Sequence, residues 1–272
     1  MDNRPIGIFD SGLGGLTALK ELRSLMPGED LVYFGDTGRV PYGARSVETL
    51  RRFAMENIRF LKSHNVKMIV AACGTISSIM TDEMEQALDL PFTGVVKAAA
   101  KAACRATKTG RIGVIGTSAT VQSGSYARII GAERPDAQVF AHPCPLFVPL
   151  VENGYIDRDN EVTNLVAKDY LAPFEEEQPD TLILGCTHYP LIAPTTGKIM
   201  GDGVTLIDPG REAARFVKKY LAAHQMENEN KQGSTRYFVS ADTQDFDAIA
   251  ARFLGHRLER EVEHVEVDSL TL

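Results

Sequence analysis

Two cysteines lie where a run of apolar residues ends and small polar residues begin. Cys73 follows Met-Ile-Val-Ala-Ala and precedes Gly-Thr, whereas Cys186 follows Leu-Ile-Leu-Gly and precedes Thr-His. Both are expected at the start of a helix, where unpaired backbone N–H groups carry partial positive charge. Such an environment lowers a thiol pKa from its usual value of about 8.5. We therefore predict two reactive thiols in similar loops, suited to taking up and releasing protons.

The other two cysteines are interpreted as packing residues. Cys104 lies within an Ala-rich helical segment, and both it and Cys144 are expected to behave as small buried hydrophobic side chains. Four cysteines in a chain of 272 residues form no dense disulfide framework, and a reducing compartment would keep them as thiols.

Three other kinds of site are disfavoured by spacing. Asp10, Cys73, Cys186 and His188 are possible zinc ligands, but the chain has no Cys-x-x-Cys and no His-x-x-x-His, so we expect no metal. A thioredoxin-type redox site also requires Cys-x-x-Cys. The stretch from Asp10 to Gly15 lacks the third Gly of a dinucleotide fingerprint and the Gly-Lys-Ser/Thr of a P-loop, so a nucleotide site is not expected there.

The composition is that of an ordinary globular protein. The chain is 44% hydrophobic and carries a net charge of −7, which disfavours nucleic acid as a partner because such binding neutralises phosphates with Lys and Arg. No apolar run approaches the roughly 18 residues of a membrane helix. The N-terminus lacks the apolar core of a signal peptide, so we expect a cytoplasmic protein without membrane contact.

Short apolar runs without alternation are typical of strands buried on both faces. Helix-length segments separate them, at residues 16–25, 46–63, 77–88, 97–107 and 212–223. This order predicts an α/β protein of two similar lobes with mainly parallel sheets flanked by helices. The predicted strands are 6–10, 31–34, 68–72, 92–96, 111–116, 181–184 and 205–208.

The strand, Gly-Thr, helix pattern restarts after residue 108, which predicts two domains: residues 1–97 with 210–272, and residues 98–209. In parallel sheets, ligands gather at the carboxyl ends of the strands, where loops lead into helix N-termini. Loops with hydroxyl groups and glycines at these ends can place hydroxyls and N–H groups around an anion. Four loops have this composition: 10–15, 73–75, 116–120 and 185–189.

Several motifs, in this order and spacing, resemble those of glutamate racemases in the aspartate/glutamate racemase superfamily. The resemblance runs from the first strand to about Arg211. The motifs are Gly7-Ile-Phe-Asp-Ser-Gly-Leu-Gly-Gly-Leu-Thr17, Tyr33-Phe-Gly-Asp-Thr37, Pro41-Tyr-Gly43, Ala72-Cys-Gly-Thr75, Ile115-Gly-Thr117 and Leu184-Gly-Cys-Thr-His-Tyr-Pro-Leu191.

This resemblance implies a cofactor-independent enzyme that interconverts L- and D-glutamate for peptidoglycan synthesis, with its active site in the cleft between two α/β domains. Cys73 and Cys186 would act on opposite faces of the substrate, Asp10 assisting the first, and Glu152 and His188 the second. The family commonly forms homodimers. Members that need a cell-wall precursor as activator resemble one another in an N-terminal extension, and we expect no such requirement here. The expected substrate-binding residues are Asp10, Ser11, Tyr42, Gly43, Gly74, Thr75, Thr117, Thr120, Thr187 and His188.

The residue types agree with inversion at a carbon atom. One group must remove a proton from one face and another must supply a proton to the opposite face, and two similar thiols meet this need. Hydroxyls and helix-start N–H groups can stabilise the charge that develops on the adjacent carboxylate. A carboxylate at Asp10 would raise the pKa of a neighbouring thiol and make its thiolate a stronger base.

One position departs from the family pattern. The first motif usually reads Cys-Asn-Thr, whereas Gly74 follows Cys73 here. The missing amide removes a hydrogen bond worth about 0.5–1.5 kcal/mol, so restoring it by Gly74→Asn is expected to tighten glutamate binding. Two alternative functions therefore stay open. The protein could be a racemase for aspartate, another small amino acid or a hydantoin, or a non-catalytic protein that binds acidic metabolites.

Overall fold

The computed structural model describes residues 1–241, 246–258 and 261–266. It contains two sheets in which every described strand pair is parallel, so the prediction of an α/β protein is confirmed. The strands are β1 (Ile6–Asp10), β2 (Leu31–Gly35), β3 (Met68–Ala71), β4 (Phe92–Gly94), β5 (Arg111–Gly116), β6 (Gln138–Pro143), β7 (Thr181–Leu184), β8 (Thr205–Ile207), β9 (Thr235–Val239) and β10 (Val262–His264).

Helices connect the strands and cover the sheets. Short 3₁₀ segments accompany them at Thr37–Arg39, Tyr42–Ala44 and Tyr189–Ile192. The α-helices are α1 (Leu16–Leu25), α2 (Val47–Ser63), α3 (Gly74–Ile79), α4 (Asp82–Gln86), α5 (Val95–Ala106), α6 (Ser118–Gln122), α7 (Ser125–Glu133), α8 (Phe147–Glu152), α9 (Glu161–Leu171), α10 (Phe174–Glu177), α11 (Ala193–Met200), α12 (Pro209–Ala223) and α13 (Phe246–Leu254).

The sheets have different strand orders. The first is ordered β10-β9-β2-β1-β3-β4 and the second β6-β5-β7-β8. Asp10 at the end of β1 lies opposite Gly35 of β2, and Ile115 near the end of β5 lies opposite Leu184 of β7. This register places the loops that follow β1, β3, β5 and β7 at the carboxyl edges of their sheets.

Buried side chains join the two halves. Helix α12 packs on both α1 and α5, and one core cluster contains Ile8 and Leu19 from the first half with Phe147 and Leu182 from the second. This shared packing fixes the position of the two carboxyl edges relative to each other.

Several element boundaries differ from the sequence-based predictions. The predicted helix 77–88 is two short helices, α3 and α4, separated at Met80, and the predicted strand 92–96 ends at Gly94 because α5 begins at Val95. Strands β6, β9 and β10 were not predicted. In β6 every residue is at least partly exposed, so the strand lacks the continuous apolar run that marks a buried strand.

Candidate active site

A cavity of about 550 Å³ lies where the loops of the two sheets meet. Apolar residues that the sequence analysis did not single out, among them Val40, Pro41 and Val148, form part of its wall. Asp10 lies outside this lining, and every other predicted site residue belongs to it. These are Ser11, Tyr42, Gly43, Cys73, Gly74, Thr75, Thr117, Thr120, Glu152, Cys186, Thr187 and His188.

Cys73 stands immediately before α3, as predicted, and its thiol is buried beside the loop after β1. Its Sγ donates to Ser11 Oγ at 3.5 Å. Burial raises the pKa of the Cys73 thiol to about 12, the negative charge of Asp10 adds to the increase, and the Ile76 N–H opposes it. The prediction of a lowered thiol pKa at this helix start is therefore wrong, because desolvation outweighs the helix N-terminus.

Asp10 is almost completely buried, and it is near enough for its charge to raise the Cys73 pKa. Its Oδ2 accepts a hydrogen bond from the Gly12 N–H at 2.9 Å, whereas Oδ1 has no partner among the described residues. Burial raises the Asp10 pKa, and the Gly12 N–H and the nearby charge of His188 act in the opposite direction. Asp10 therefore acts on the Cys73 thiol through its charge, and no direct hydrogen bond joins the two described side chains.

Cys186 forms a row with a histidine and a carboxylate. Its Sγ lies 3.8 Å from His188 Nδ1, and His188 Nε2 lies 3.0 Å from Glu152 Oε1. Cys186 and His188 are buried, whereas the Glu152 side chain is about half exposed at 47%. The prediction that Cys186 stands at the start of a helix is wrong for a regular α-helix. It lies in a bend before the 3₁₀ segment Tyr189–Ile192.

The His188 pKa reflects two opposing effects. Burial lowers the pKa, but hydrogen bonds to Cys186 and Glu152 favour the charged ring more strongly and raise it to about 10. At neutral pH the imidazolium therefore places a positive charge 3.8 Å from Cys186 Sγ. Glu152 was assigned to this side only through the family resemblance, and the structure places it against the histidine.

This pKa predicts a pH-dependent stability. The His188 pKa rises on folding from about 6.5 to about 10, so the contribution of its proton is fully present below pH 6.5 and is lost as the pH rises through 10. The difference in unfolding free energy between the unmodified protein and His188→Asn should be constant at low pH and shrink from pH 6.5 to 10 in urea titrations. Glu152→Gln removes one of the interactions that raise the His188 pKa. The stabilising contribution of the His188 proton should therefore be lost at a lower pH in this variant. A difference that is independent of pH would contradict this prediction.

Threonine hydroxyls form a row across the cavity. Thr75 Oγ1, from the first sheet's loop, lies 3.3 Å from Thr117 Oγ1, from the second, and Thr117 Oγ1 lies 3.0 Å from Thr120 Oγ1. Thr117 Oγ1 also caps α6 by accepting from the Thr120 N–H at 3.2 Å. Thr187 Oγ1 lies 3.4 Å from His188 Nδ1. These hydroxyls can donate hydrogen bonds to a carboxylate in the cavity.

The Tyr42 hydroxyl is bonded within the protein interior. It donates to Asp36 Oδ2 and lies 3.3 Å from Asn57 Nδ2, which donates to it. Gly43, in contrast, is exposed, and a Cβ built on it would meet no atom within 4 Å. Any polar contact from this segment to a ligand would therefore come from its backbone.

Gly74 marks the closest approach of the two cysteine loops. A Cβ built at this position would lie 2.7 Å from the Gly185 carbonyl oxygen, a distance that real Cβ atoms essentially never show. The obstructing atom belongs to the backbone, so it cannot rotate away as a side chain could. An asparagine would have to push the loops apart, and the expected tightening of glutamate binding by Gly74→Asn does not fit this arrangement.

Metal-ligand clusters and membrane-spanning helices are both absent from the described residues, 1–241, 246–258 and 261–266. No group of three or more His, Cys, Asp or Glu side chains in these ranges is arranged to hold a metal ion. No helix in them is both long and apolar enough to cross a membrane.

Comparison with known proteins assigns the chain to a family. The model of the Asp/Glu/Hydantoin racemase family matches residues 17–217. The chain belongs to the Asp/Glu/hydantoin racemase family. The resemblance drawn from the sequence motifs is thereby confirmed.

Relatives in this family match over nearly the whole chain. The glutamate racemase of Geobacter metallireducens is 44% identical over 256 residues, which are 94% of each protein. The crystal structure of glutamate racemase from Francisella tularensis in complex with D-glutamate has a TM-score of 0.91 at 38% identity and covers 99% of this chain and 100% of that one. The Thermus thermophilus enzyme in complex with beta-chloro-D-alanine has a TM-score of 0.87 at 43% identity, with coverages of 98% and 99%.

Proposed function

We propose that this racemase interconverts L- and D-glutamate without a cofactor, using Cys73 and Cys186 as its two acid/base groups. The observation that carries the proposal is the pair of thiols from two different sheets lining one cavity, each with its own polar partners. Relatives that share 38–44% of its residues are named glutamate racemases, and one of them is described with D-glutamate bound.

The two thiols have different charged neighbours. The high pKa of Cys73 keeps its thiol protonated at neutral pH, so it can donate a proton to the substrate. Asp10, whose pKa is also raised, assists this thiol. On the other side, protonated His188 places a positive charge 3.8 Å from Cys186 Sγ. Cys186 then removes the α-proton from one face while Cys73 protonates the other, and the reverse reaction exchanges these roles.

The developing negative charge requires donors that are already in place. When the α-proton leaves, charge moves onto the substrate carboxylate, where the hydroxyls of Thr75, Thr117 and Thr120 can hydrogen-bond to it. Ser11 and Thr187 supply further hydroxyls from the two cysteine sides, and the backbone of Gly43 and Gly74 supplies N–H groups. Asp10 lies outside the cavity lining, so its role in the proposal is limited to assisting Cys73 and does not include a contact with the substrate.

The remaining proposals concern the setting of the reaction. We propose residues 1–97 with 210–272 as one domain and 98–209 as the other, since the described strands of the first sheet lie in 6–94 and 235–264 and those of the second in 111–207. The family resemblance implies a homodimer that supplies D-glutamate for peptidoglycan, and the N-terminal sequence implies a cytoplasmic location; both stay predictions.

The direct test is an activity assay on both enantiomers. Purified protein is incubated with L- or D-glutamate, and the circular dichroism of the amino acid is followed. We expect the signal to decay to zero from either side, because the two enantiomers have equal free energy. Parallel assays with L- and D-aspartate and with a hydantoin identify the alternative substrates. Glutamate binding without any loss of optical activity would contradict the proposal and indicate a binding protein.

A further inference from the structure

The backbone carbonyl between the second cysteine and its histidine is held by a residue of the opposite half. Thr17, near the start of α1, is buried, and its Oγ1 lies 2.9 Å from the Thr187 carbonyl oxygen. The same hydroxyl is 2.9 Å from the Gly14 carbonyl oxygen, which already accepts from the Thr17 N–H at 3.0 Å. A hydroxyl has a single proton, which the two carbonyl oxygens share, and the Gly14 oxygen has the Thr17 N–H as a second donor.

A glycine in the same turn makes room for this contact. A Cβ built on Gly14 would lie 2.2 Å from Thr187 Oγ1 and 2.6 Å from His188 Nδ1. The Thr187–His188 segment therefore lies directly on the backbone of the loop before α1. Close packing at Gly14 and the Thr17 hydrogen bond are two separate observations that fix the same segment.

Helix α13, which also belongs to the first half, contacts the same group of residues. The Phe253 ring lies edge-on to the His188 ring at 5.3 Å between centroids, and Arg252 Nη1 donates to the Glu152 carbonyl oxygen at 2.7 Å. The second cysteine's partners are thus contacted by both α1 and α13.

We propose that Thr17 is a positioning residue for the Cys186–His188 pair, an inference that rests on the proposed function. Its hydrogen bond fixes the orientation of the Thr187–His188 peptide group. That orientation sets the distance between Cys186 Sγ and His188 Nδ1. Thr17 does not line the cavity, so its loss acts through this geometry. A misplacement of about 1 Å in a catalytic group can reduce the rate about 100-fold.

The test compares variants that differ in the hydroxyl. Thr17→Val keeps the shape of the side chain and should lower kcat about 10- to 100-fold with a smaller change in KM. Thr17→Ser keeps the hydroxyl and should restore most of the rate. If Thr17→Val does not fold, Thr17→Ala against Thr17→Ser gives the same comparison, because these two differ only in the oxygen atom.

Isotope effects separate a positioning role from a general loss of packing. If proton transfer at Cys186 becomes slower, the glutamate enantiomer whose α-deuteron Cys186 removes should show a larger primary isotope effect on kcat/KM, and the other enantiomer a smaller one. His188→Asn should change the isotope effects of the two enantiomers in these same directions. Asp10→Asn should change each of them in the opposite direction. Thr17→Val is expected to follow His188→Asn.

The outcomes separate the proposed division of the two cysteines between the substrate faces from the positioning role of Thr17. If His188→Asn and Asp10→Asn do not shift the isotope effects oppositely, the proposed division of the cysteines is wrong, and the role of Thr17 is rejected with it. If these two variants behave as expected but Thr17→Val leaves the isotope effects unchanged, or slows the reaction no more than Thr17→Ser does, only the positioning role is overturned.

Discussion

Replacing Cys73 or Cys186 with alanine is expected to lower glutamate racemisation by roughly 10²- to 10⁴-fold in both directions. Each thiol is the acid/base group for one face of the substrate, and the Tyr42 hydroxyl, which also lines the cavity, is already bonded to Asp36. The measurement is the initial rate from each pure enantiomer, with circular dichroism of the protein confirming that the variants are folded.

The other two cysteines provide matched controls. Cys104 is partly exposed on α5, and Cys144 is buried with its Sγ 3.8 Å from the His142 carbonyl oxygen. Neither lines the cavity, so Cys104→Ala and Cys144→Ala should keep the rate within about twofold when assayed below their unfolding temperatures. Normal turnover by Cys186→Ala would exclude the paired-cysteine mechanism.

Gly74→Ala is expected to lower kcat about 100-fold, although the change adds a single methyl group. The new Cβ would lie 2.7 Å from the Gly185 carbonyl oxygen, so the Cys73 and Cys186 loops must separate. Separation moves both thiols away from a shared substrate, and misplacement of this size has a large effect on rate. Rates and KM values are measured in steady state for both enantiomers.

Gly131→Ala is the matched control for this change. Gly131 is exposed in α7, and a Cβ there meets no atom within 4 Å, so this variant should keep full activity. Gly74→Asn should behave like Gly74→Ala. A lower KM in Gly74→Asn with unchanged kcat would show that the active form lacks this close approach, and would support the expectation drawn from the family motif.

The strands that frame the site could be predicted because they are buried on both faces. In β1, β3 and β7 every residue is buried, so each appears in the sequence as an uninterrupted apolar run. Strand β6 is at an edge of the second sheet and partly exposed, and it carries no such signal. The loops at the carboxyl ends followed from the strands, since ligands gather there in parallel sheets.

The partners of the catalytic residues were harder to predict. Glu152 and His188 are far apart in the chain, and no spacing rule indicates that Glu152 Oε1 lies 3.0 Å from the ring. The high pKa of Cys73 depends on burial by surrounding residues, which local sequence does not reveal. Thr17 resembles any first-turn helix residue until its partner in the other half is known. Gly74 was recognised as unusual, but its contact with Gly185 is visible only in three dimensions.

The two-cysteine mechanism is tested most directly by following solvent deuterium. L-Glutamate is incubated with the protein in D₂O, the reaction is stopped at low conversion, and α-deuterium in each enantiomer is measured by mass spectrometry after chiral separation. If Cys73 and Cys186 each serve one face, the thiol opposite the departing proton carries solvent deuterium, so the D-glutamate formed is labelled and the remaining L-glutamate is not. A single base serving both faces would return deuterium to either face. Deuterium in unreacted L-glutamate from the first turnovers would therefore contradict the assignment of one cysteine to each face.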